Sequence, residues 1–123
     1  NRAEIDATIE RLQLGRHAST PAVELSGGQR KLLDLARAIV VRPRVLLADE
    51  PTAGVSQAAK EVVGAVLGEA QKDGTAVLIV SHDLPWTFGL CGRILFLSRG
   101  EVLVQGGVDE VRSDPRIREA YLR

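Results

Sequence analysis

Two short motifs separated by one amphipathic segment constrain this chain more than any other feature. The first, LSGGQR, occupies residues 25–30, and the second, VLLADEP, occupies residues 45–51. Ser26 is a favourable N-cap for a helix that puts apolar residues on one face and charged residues, including Lys31, on the other. The continuous apolar run at the start of the second motif is typical of a strand buried on both faces in a parallel sheet.

The rest of the chain alternates between helix-like and strand-like patterns. Gly15 and Pro43 are expected to end the first two helices, and Pro85 to interrupt a short helical piece. Two apolar strands joined by a helix predict a parallel α/β unit. The predicted elements are helices over 3–13 and from Ser26, a strand over 45–48, a helix over 57–72, a second buried strand over 76–80, a short piece over 83–90, a hairpin over 94–104 and a helix that begins at Asp114-Pro115.

Composition excludes several classes of function. The 16 basic and 16 acidic residues balance, so the overall charge favours neither nucleic acid nor an anionic membrane as a partner. No apolar run reaches the roughly 18 residues of a membrane-spanning helix, and no transmembrane segment is expected. The single cysteine, Cys91, excludes an internal disulfide and is interpreted as a small buried residue in a reducing compartment.

The start of the second helix has the chemistry of an anion site. A serine cap at Ser26 followed by Gly27 and Gly28 leaves backbone N–H groups at the positive end of the helix dipole, and glycine lets a phosphate approach closely. Taken alone, the pattern fits an ordinary glycine-rich cap equally well. Gln29 and Arg30 after the glycines, together with the acidic strand end that follows, favour the phosphate site.

Asp49, Glu50 and His82 follow the two predicted strands. Ligands of open α/β sheets bind at the carboxyl ends of the strands, so these side chains are expected at one crevice. Asp49 suits a hydrated Mg²⁺ ion, and Glu50 suits the orientation or deprotonation of a water molecule. The alternatives are a solvated acidic strand end and a structural histidine. His17, in a polar loop, is assigned to the surface.

Together these motifs resemble the signature motif, Walker B strand, D-loop and switch histidine of the ATP-binding cassette (ABC) ATPases. The resemblance implies an α/β fold that is the C-terminal part of an ABC-type P-loop NTPase, with parallel strands, flanking helices, a C-terminal β-hairpin and further helices. It also implies that residues 1–42 are the end of the helical subdomain with the signature helix. Residues 43–123 would then run from Walker B to the C-terminus of the catalytic core.

The same resemblance implies ATP as the nucleotide and Mg²⁺ as its metal, with roles for individual residues. Glu50 would be the catalytic base, His82 the switch histidine, and Asp49 the support of Mg²⁺ through water. The signature residues would bind the γ-phosphate of ATP held by the opposite protomer; they are Ser26, Gly27, Gly28 and Gln29. The D-loop would couple the two sites of the dimer, and it comprises Ala53, Gly54, Val55 and Ser56, with serine where many members have aspartate.

The D-loop and the tail from Gly107 to Leu122 are similar to those of the branched-chain or hydrophobic amino-acid importers. This implies a peripheral subunit at the cytoplasmic face of the cell membrane, paired head to tail with a second ATPase subunit and bound to integral-membrane permeases, without nucleic acid. Two alternatives remain open. One is a non-transport ABC ATPase of DNA repair or translation, and the other is a half-cassette that complements a partner without turnover.

One motif of such ATPases is missing. Their phosphate-cradling loop needs Gly-Lys followed by serine or threonine, whereas none of the three lysines, Lys31, Lys60 and Lys72, follows a glycine. We therefore expect the chain to be the second half of a nucleotide-hydrolysing domain and to be inactive in isolation. We also expect an unfilled ladder edge beside the strand that carries His82.

Overall fold

The computed structural model describes residues 2–121 and divides the chain into two compact units, one ending at His82 and the other beginning at Asp83. The predicted division after residue 42 concerns the complete cassette and stays a prediction. Leu122, the last residue of the tail that begins at Gly107, lies outside the described residues. The first unit contains helix α1 (Arg2–Arg11), short 3₁₀ turns at Gly15–His17 and Ala22–Glu24, α2 (Gly27–Ile39), β1 (Val45–Asp49), α3 (Gln57–Lys72) and β2 (Ala76–Val80).

The ends of α1 and α2 differ from the prediction. Helix α1 ends at Arg11, before Gly15, and α2 ends at Ile39, before Pro43. In each case a later residue takes a left-handed backbone, Gln13 with φ 57° and Arg42 with φ 49°. A left-handed residue just past a helix turns the chain out of the helical path, so neither the glycine nor the proline ends its helix.

The core of the first unit forms where α2, α3 and β1 each bury one stripe. Helical spacing correctly predicted the stripes of α2 and α3, because apolar residues three or four apart share one face of a helix. Helix α3 packs against β2, and its end is marked by Gly74 with φ 95°. The buried core residues of these three elements are Leu32, Ala36, Ile39, Leu46, Val63, Val66, Leu67 and Ala70.

Strands β1 and β2 are parallel and in register from Val45 opposite Ala76 to Asp49 opposite Val80. The prediction that they are buried on both faces is wrong for the described chain. Leu46 is 6% exposed, whereas the neighbouring Leu47 is 71% exposed. Successive strand residues point to opposite faces, so only one face is covered here. The exposed set comprises Val45, Leu47, Leu78 and Val80.

The second unit contains α4 (Leu84–Leu90), a hairpin of β3 (Arg93–Ser98) and β4 (Glu101–Gly107), α5 (Val108–Ser113) and α6 (Pro115–Tyr121). The predicted hairpin is confirmed, and its two-residue turn places Arg99 and Gly100 at φ 51° and 83°. Pro85 lies in the first turn of α4 and does not interrupt it, because a first-turn N–H has no helical partner to lose.

The core of the second unit centres on Ile94, Val111 and Ile117. Cys91 is partly buried and packs against this cluster, and this burial raises the pKa of its thiol, so its interpretation as a small buried residue holds in part. Among residues 2–121, no helix combines the length and the hydrophobicity needed to cross a bilayer.

Candidate active site

The in-register pairing of β1 and β2 brings their carboxyl ends to the same edge of the sheet. The Glu50 N–H donates to the Val80 carbonyl at 2.8 Å, which extends the ladder by one step beyond the last strand pair. His82 follows Val80 by two residues. Because parallel strands end together at one edge, Glu50 and His82 meet although they are far apart in the sequence.

The Glu50 carboxylate and the His82 ring are in direct contact. Glu50 Oε1 accepts hydrogen bonds from the His82 backbone N–H at 3.0 Å and from His82 Nδ1 at 2.8 Å. An ionised carboxylate only accepts, so this partner assigns the ring proton to Nδ1. The Glu50 side chain is 32% exposed and that of His82 is 82% exposed, so the pair lies at an open edge. Their convergence matches the sequence expectation, and their catalytic roles stay predictions.

The backbone of Glu50 is strained and held from several sides. Its φ of 47° lies in the left-handed region, which costs a non-glycine residue about 1–2 kcal/mol. The Glu50 carbonyl accepts from Ala53 N–H at 3.2 Å, closing a turn through Pro51, and from Lys31 Nζ at 2.7 Å. Strained residues of this kind persist where surrounding contacts determine their conformation, and they concentrate at functional sites.

Asp49 is the last residue of β1 and is exposed, while Glu50 has already left the strand. The expectation that the two carboxylates point to opposite faces of a strand stays a prediction, because Glu50 lies outside β1. The part of the chain that the structure describes has no group of three or more His, Cys, Asp or Glu side chains able to hold a metal. One exposed carboxylate fits Mg²⁺, which commonly binds proteins through one or two carboxylates and keeps several waters.

The first turn of α2 forms a closed cap that leaves two glycine amides pointing outward. Ser26 Oγ accepts from the Gln29 N–H at 3.2 Å, and Gln29 Oε1 accepts from the Ser26 N–H at 2.8 Å. This reciprocal pair is a capping box, and its Ser-x-x-Gln spacing was readable from the sequence. Gly27 and Gly28 occupy the first helical positions, where N–H groups have no intrahelical acceptor.

The predicted D-loop lies against this turn. A Cβ on Gly28 would stand 3.5 Å from the Gly54 carbonyl oxygen and 3.6 Å from Val55 Cγ1, so the helix start packs closely on the loop. Gly54 has φ 74°, a conformation that suits glycine. Ser56 caps α3, because its Oγ accepts from the Ala59 N–H at 3.2 Å. Serine and aspartate cap helices comparably well, so Ser56 can cap α3 in place of the aspartate that many family members have at this position.

His17, assigned to the surface, is partly exposed but also contacts the signature turn. It is half-buried, and its Nε2 lies 2.9 Å from Gln29 Nε2. Because Gln29 Oε1 already accepts from Ser26, the amide NH₂ is the group that faces the ring and donates to it. The ring proton of the neutral imidazole is therefore on Nδ1. A polar loop carries no periodic pattern that could have revealed this contact.

Lys31 also departs from its expected position on the solvent face of α2. It is half-buried, and its ammonium reaches the Glu50 carbonyl, whereas Arg30 turns back to the Leu25 carbonyl at 2.9 Å. Apart from Asp49, the predicted site residues thus fall into two groups. Glu50 contacts His82 at the strand ends, and the signature turn contacts the D-loop; Lys31 joins the two.

Comparison with known proteins identifies the family of the chain. The sequence profile of the family described as ABC transporter matches residues 1–53. A probable ABC transporter ATP-binding protein of Azorhizobium caulinodans is 34% identical over 97% of the chain and 42% of its own length. The chain belongs to the ABC transporter ATP-binding family. LSGGQR and the acidic strand end lie within the matched residues, and His82 lies beyond them.

Two further ABC relatives carry specific names. The lipopolysaccharide export ATP-binding protein LptB of Acidithiobacillus ferridurans is 34% identical over 93% of the chain and 47% of its own length. The branched-chain amino acid transport ATP-binding protein LivG of Salmonella typhimurium is 31% identical over 93% of the chain and 45% of its own length. The chain therefore spans less than half the length of the curated relatives it matches.

Solved structures show that the fold is that of an ABC cassette. The ADP conformation of MJ1267, an ATP-binding cassette of an ABC transporter, is 28% identical, with a TM-score of 0.80 over 98% of this chain and 49% of that one. A dimeric post-hydrolysis state of the cassette MJ0796, bound to ADP and Pi, is 29% identical with a TM-score of 0.78, over 87% and 47%. The predicted α/β fold of the ABC-type P-loop NTPases is thus confirmed.

Proposed function

We propose that the chain supplies the signature and Walker B portion of an ATP-hydrolysing subunit of an ABC transporter, with ATP as substrate and Mg²⁺ as its metal. The observation that carries the proposal is the environment of Glu50. Its strained backbone is held at the end of a parallel strand, and its carboxylate is held by both N–H groups of His82. A carboxylate fixed at this edge of a sheet is suited to act on a water molecule.

The chemistry follows from that placement. A water oxygen bonds to the γ-phosphorus while the bond to the β–γ bridging oxygen breaks, and ADP leaves with the electron pair. The Glu50 carboxylate orients the water and takes its proton, and His82 keeps the carboxylate in place. Asp49 would hold Mg²⁺ through water, and the ion would neutralise charge on the phosphates.

The signature turn is assigned to the nucleotide of a second subunit. Helix tips bind anions through free amides and the helix dipole, and Gly27 is exposed with open space around the position of a Cβ. The N–H groups of Gly27 and Gly28 would bind the γ-phosphate of the partner's ATP, with Ser26 and Gln29 holding the turn. The MJ0796 dimer with ADP and Pi supports two cassettes acting together. Permease subunits would hold the pair at the cytoplasmic face of the membrane.

The transported substrate is proposed to be a branched-chain amino acid. The support is the Ala-Gly-Val-Ser D-loop at residues 53–56 together with the LivG relatives. We expect cells without the complete gene to lose uptake of labelled leucine, and wild type but not Glu50→Gln to restore it. Normal leucine uptake with defective lipopolysaccharide export would instead favour the function named for LptB.

The proposed chemistry is tested in the complete protein by Glu50→Gln. An amide cannot take the proton from water, so hydrolysis of Mg²⁺-ATP should fall by about 100-fold or more while ATP binding persists. Glu61→Gln is the matched control, because Glu61 is an exposed residue of α3 and its loss of charge is the same. Equal rates for wild type and Glu50→Gln would contradict the proposal.

A further inference from the structure

Lys31 connects the signature helix to the residue proposed as the base. It lies one turn into α2, it is half-buried, and its Nζ donates to the Glu50 carbonyl at 2.7 Å. An ammonium on a carbonyl makes a charge-assisted hydrogen bond, which is stronger than a neutral one. The contact therefore spans two elements that are separated in sequence and that belong to different predicted motifs.

Neighbouring cations on α2 behave differently. Arg30 donates to the Leu25 carbonyl just before its own helix, and Arg37 faces Asp34 of the same helix at 3.6 Å with 77% of its side chain exposed. Those contacts are local and do not reach the strand end. The contact between Lys31 and the strand end is therefore not shared by Arg30 and Arg37 of the same helix.

The hydrogen bond acts at a backbone that needs support. Glu50 is left-handed, and its carbonyl also accepts a hydrogen bond from the Ala53 N–H at 3.2 Å. A change of the left-handed φ at Glu50 would swing its Cα–Cβ bond and move the carboxylate away from the two His82 donors. Removing the ammonium would relax the constraint on the orientation of the base.

We propose that Lys31 is a positioning residue for Glu50, so that the placement of the carboxylate depends on the position of the signature helix. This inference rests on the proposed function. In that arrangement the signature turn binds one nucleotide while the same helix, through Lys31, orients the base of the subunit's own site. The link operates through the Glu50 backbone and requires no contact between Lys31 and nucleotide.

The test uses the complete protein and three variants. Lys31→Met removes the ammonium and keeps the apolar stem, Lys31→Arg keeps a cationic donor, and Arg37→Met removes an exposed charge from the same helix. We expect Lys31→Met to lower kcat roughly tenfold or more with KM for ATP unchanged. Lys31→Arg should recover most of kcat, and Arg37→Met should match wild type.

A double variant separates positioning from general stability. If Lys31 acts through Glu50, Lys31→Met should lower the residual hydrolysis of Glu50→Gln little or not at all, because the base is already absent. Should Lys31→Met prove unstable, Lys31→Gln, a neutral donor on a shorter stem, takes its place with the same expectation of a kcat effect at constant KM.

The outcomes discriminate between the two proposals. Wild-type kcat in Lys31→Met, or an equal proportional loss in the presence and absence of Glu50, would overturn the positioning role while leaving the proposed function intact. Hydrolysis that is insensitive to Glu50→Gln would contradict the proposed function itself. It would then also contradict the positioning role, which depends on that function.

Discussion

At the scale of single residues, the site is a set of backbone groups held in uncommon positions. Glu50 has a left-handed φ, and the Gly27 and Gly28 amides point out of a helix end. Strand-end carboxylates and helix-start glycines are readable from the sequence, so residue types alone predicted the candidate site. They did not predict Lys31 or His17, because long side chains reach atoms that are distant in sequence.

The substitution Gly27→Ala distinguishes the stability of helix α2 from phosphate binding at its N-terminus. A Cβ at this position meets nothing within 4 Å, so the fold should tolerate it, and alanine is favoured over glycine in helices by up to about 1 kcal/mol. The methyl group would nevertheless occupy the space needed by a phosphate. We expect steady-state hydrolysis by the complete protein to fall while its melting temperature is unchanged or higher.

Gly68→Ala is the control for that substitution. It lies inside α3, also with nothing within 4 Å of a Cβ, so it should raise stability and leave hydrolysis unchanged. Full activity in Gly27→Ala would show that no phosphate approaches this turn.

At the scale of secondary structure elements, caps and turns are local and were largely predictable. Ser26 caps α2, Ser56 caps α3, and the aspartate at the start of the last helix caps α6. Each side chain accepts a hydrogen bond from a backbone N–H two or three residues later. The ends of α1 and α2 were mispredicted, because Gln13 and Arg42 took the left-handed conformation expected of glycine. Such residues carry only a weak sequence signal.

The pKa of Asp114 provides a test of the N-terminal cap of α6. Its carboxylate accepts from the Arg116 side chain and from the Arg116 backbone N–H, and these hydrogen bonds lower the pKa of Asp114 to about 2 from 3.8. A lowered folded pKa means that the stabilisation is present above about pH 4 and is lost as pH falls through about 2. We expect a carboxyl ¹³C titration of Asp114 to have its midpoint near 2.

Arg116→Gln should move that midpoint upward, because the guanidinium hydrogen bond is its first cause. Arg118→Gln, which removes a neighbouring charge of α6, should move it far less. A wild-type midpoint at the ordinary value of about 3.8 would contradict this account of the cap.

At the scale of the whole molecule, the chain exposes an apolar strand face that its sequence marks as internal. Leu78 and Val80 of β2 are 61% and 57% exposed, beside the exposed residues of β1. Strands β1 and β2 pair only with each other within the described part of the chain. Exposed apolar patches and open sheet edges are sites of association, so completion by further polypeptide would stabilise this face.

The isolated 123-residue chain is therefore expected to lack ATPase activity that depends on Glu50. Without a Gly-Lys-[Ser/Thr] loop, most of the groups that bind the phosphates are missing, and phosphoryl transfer relies on such positioning and charge neutralisation. Equilibrium dialysis with Mg²⁺ should detect no submillimolar ATP binding. Binding at that strength, or hydrolysis abolished by Glu50→Gln in this chain, would refute the expectation.

The sequence by itself determined the family motifs, the helix starts at Ser26 and Ser56, and the two strands. It also determined that Glu50 and His82 meet. These follow from short-range hydrogen bonding, periodicity and the rule that parallel strands end at one edge. Only the tertiary structure decided that Lys31 binds the Glu50 carbonyl, that His17 supports Gln29 and which strand face is covered. Those outcomes depend on which distant groups come within a few ångströms of each other, and residue spacing carries no record of that distance.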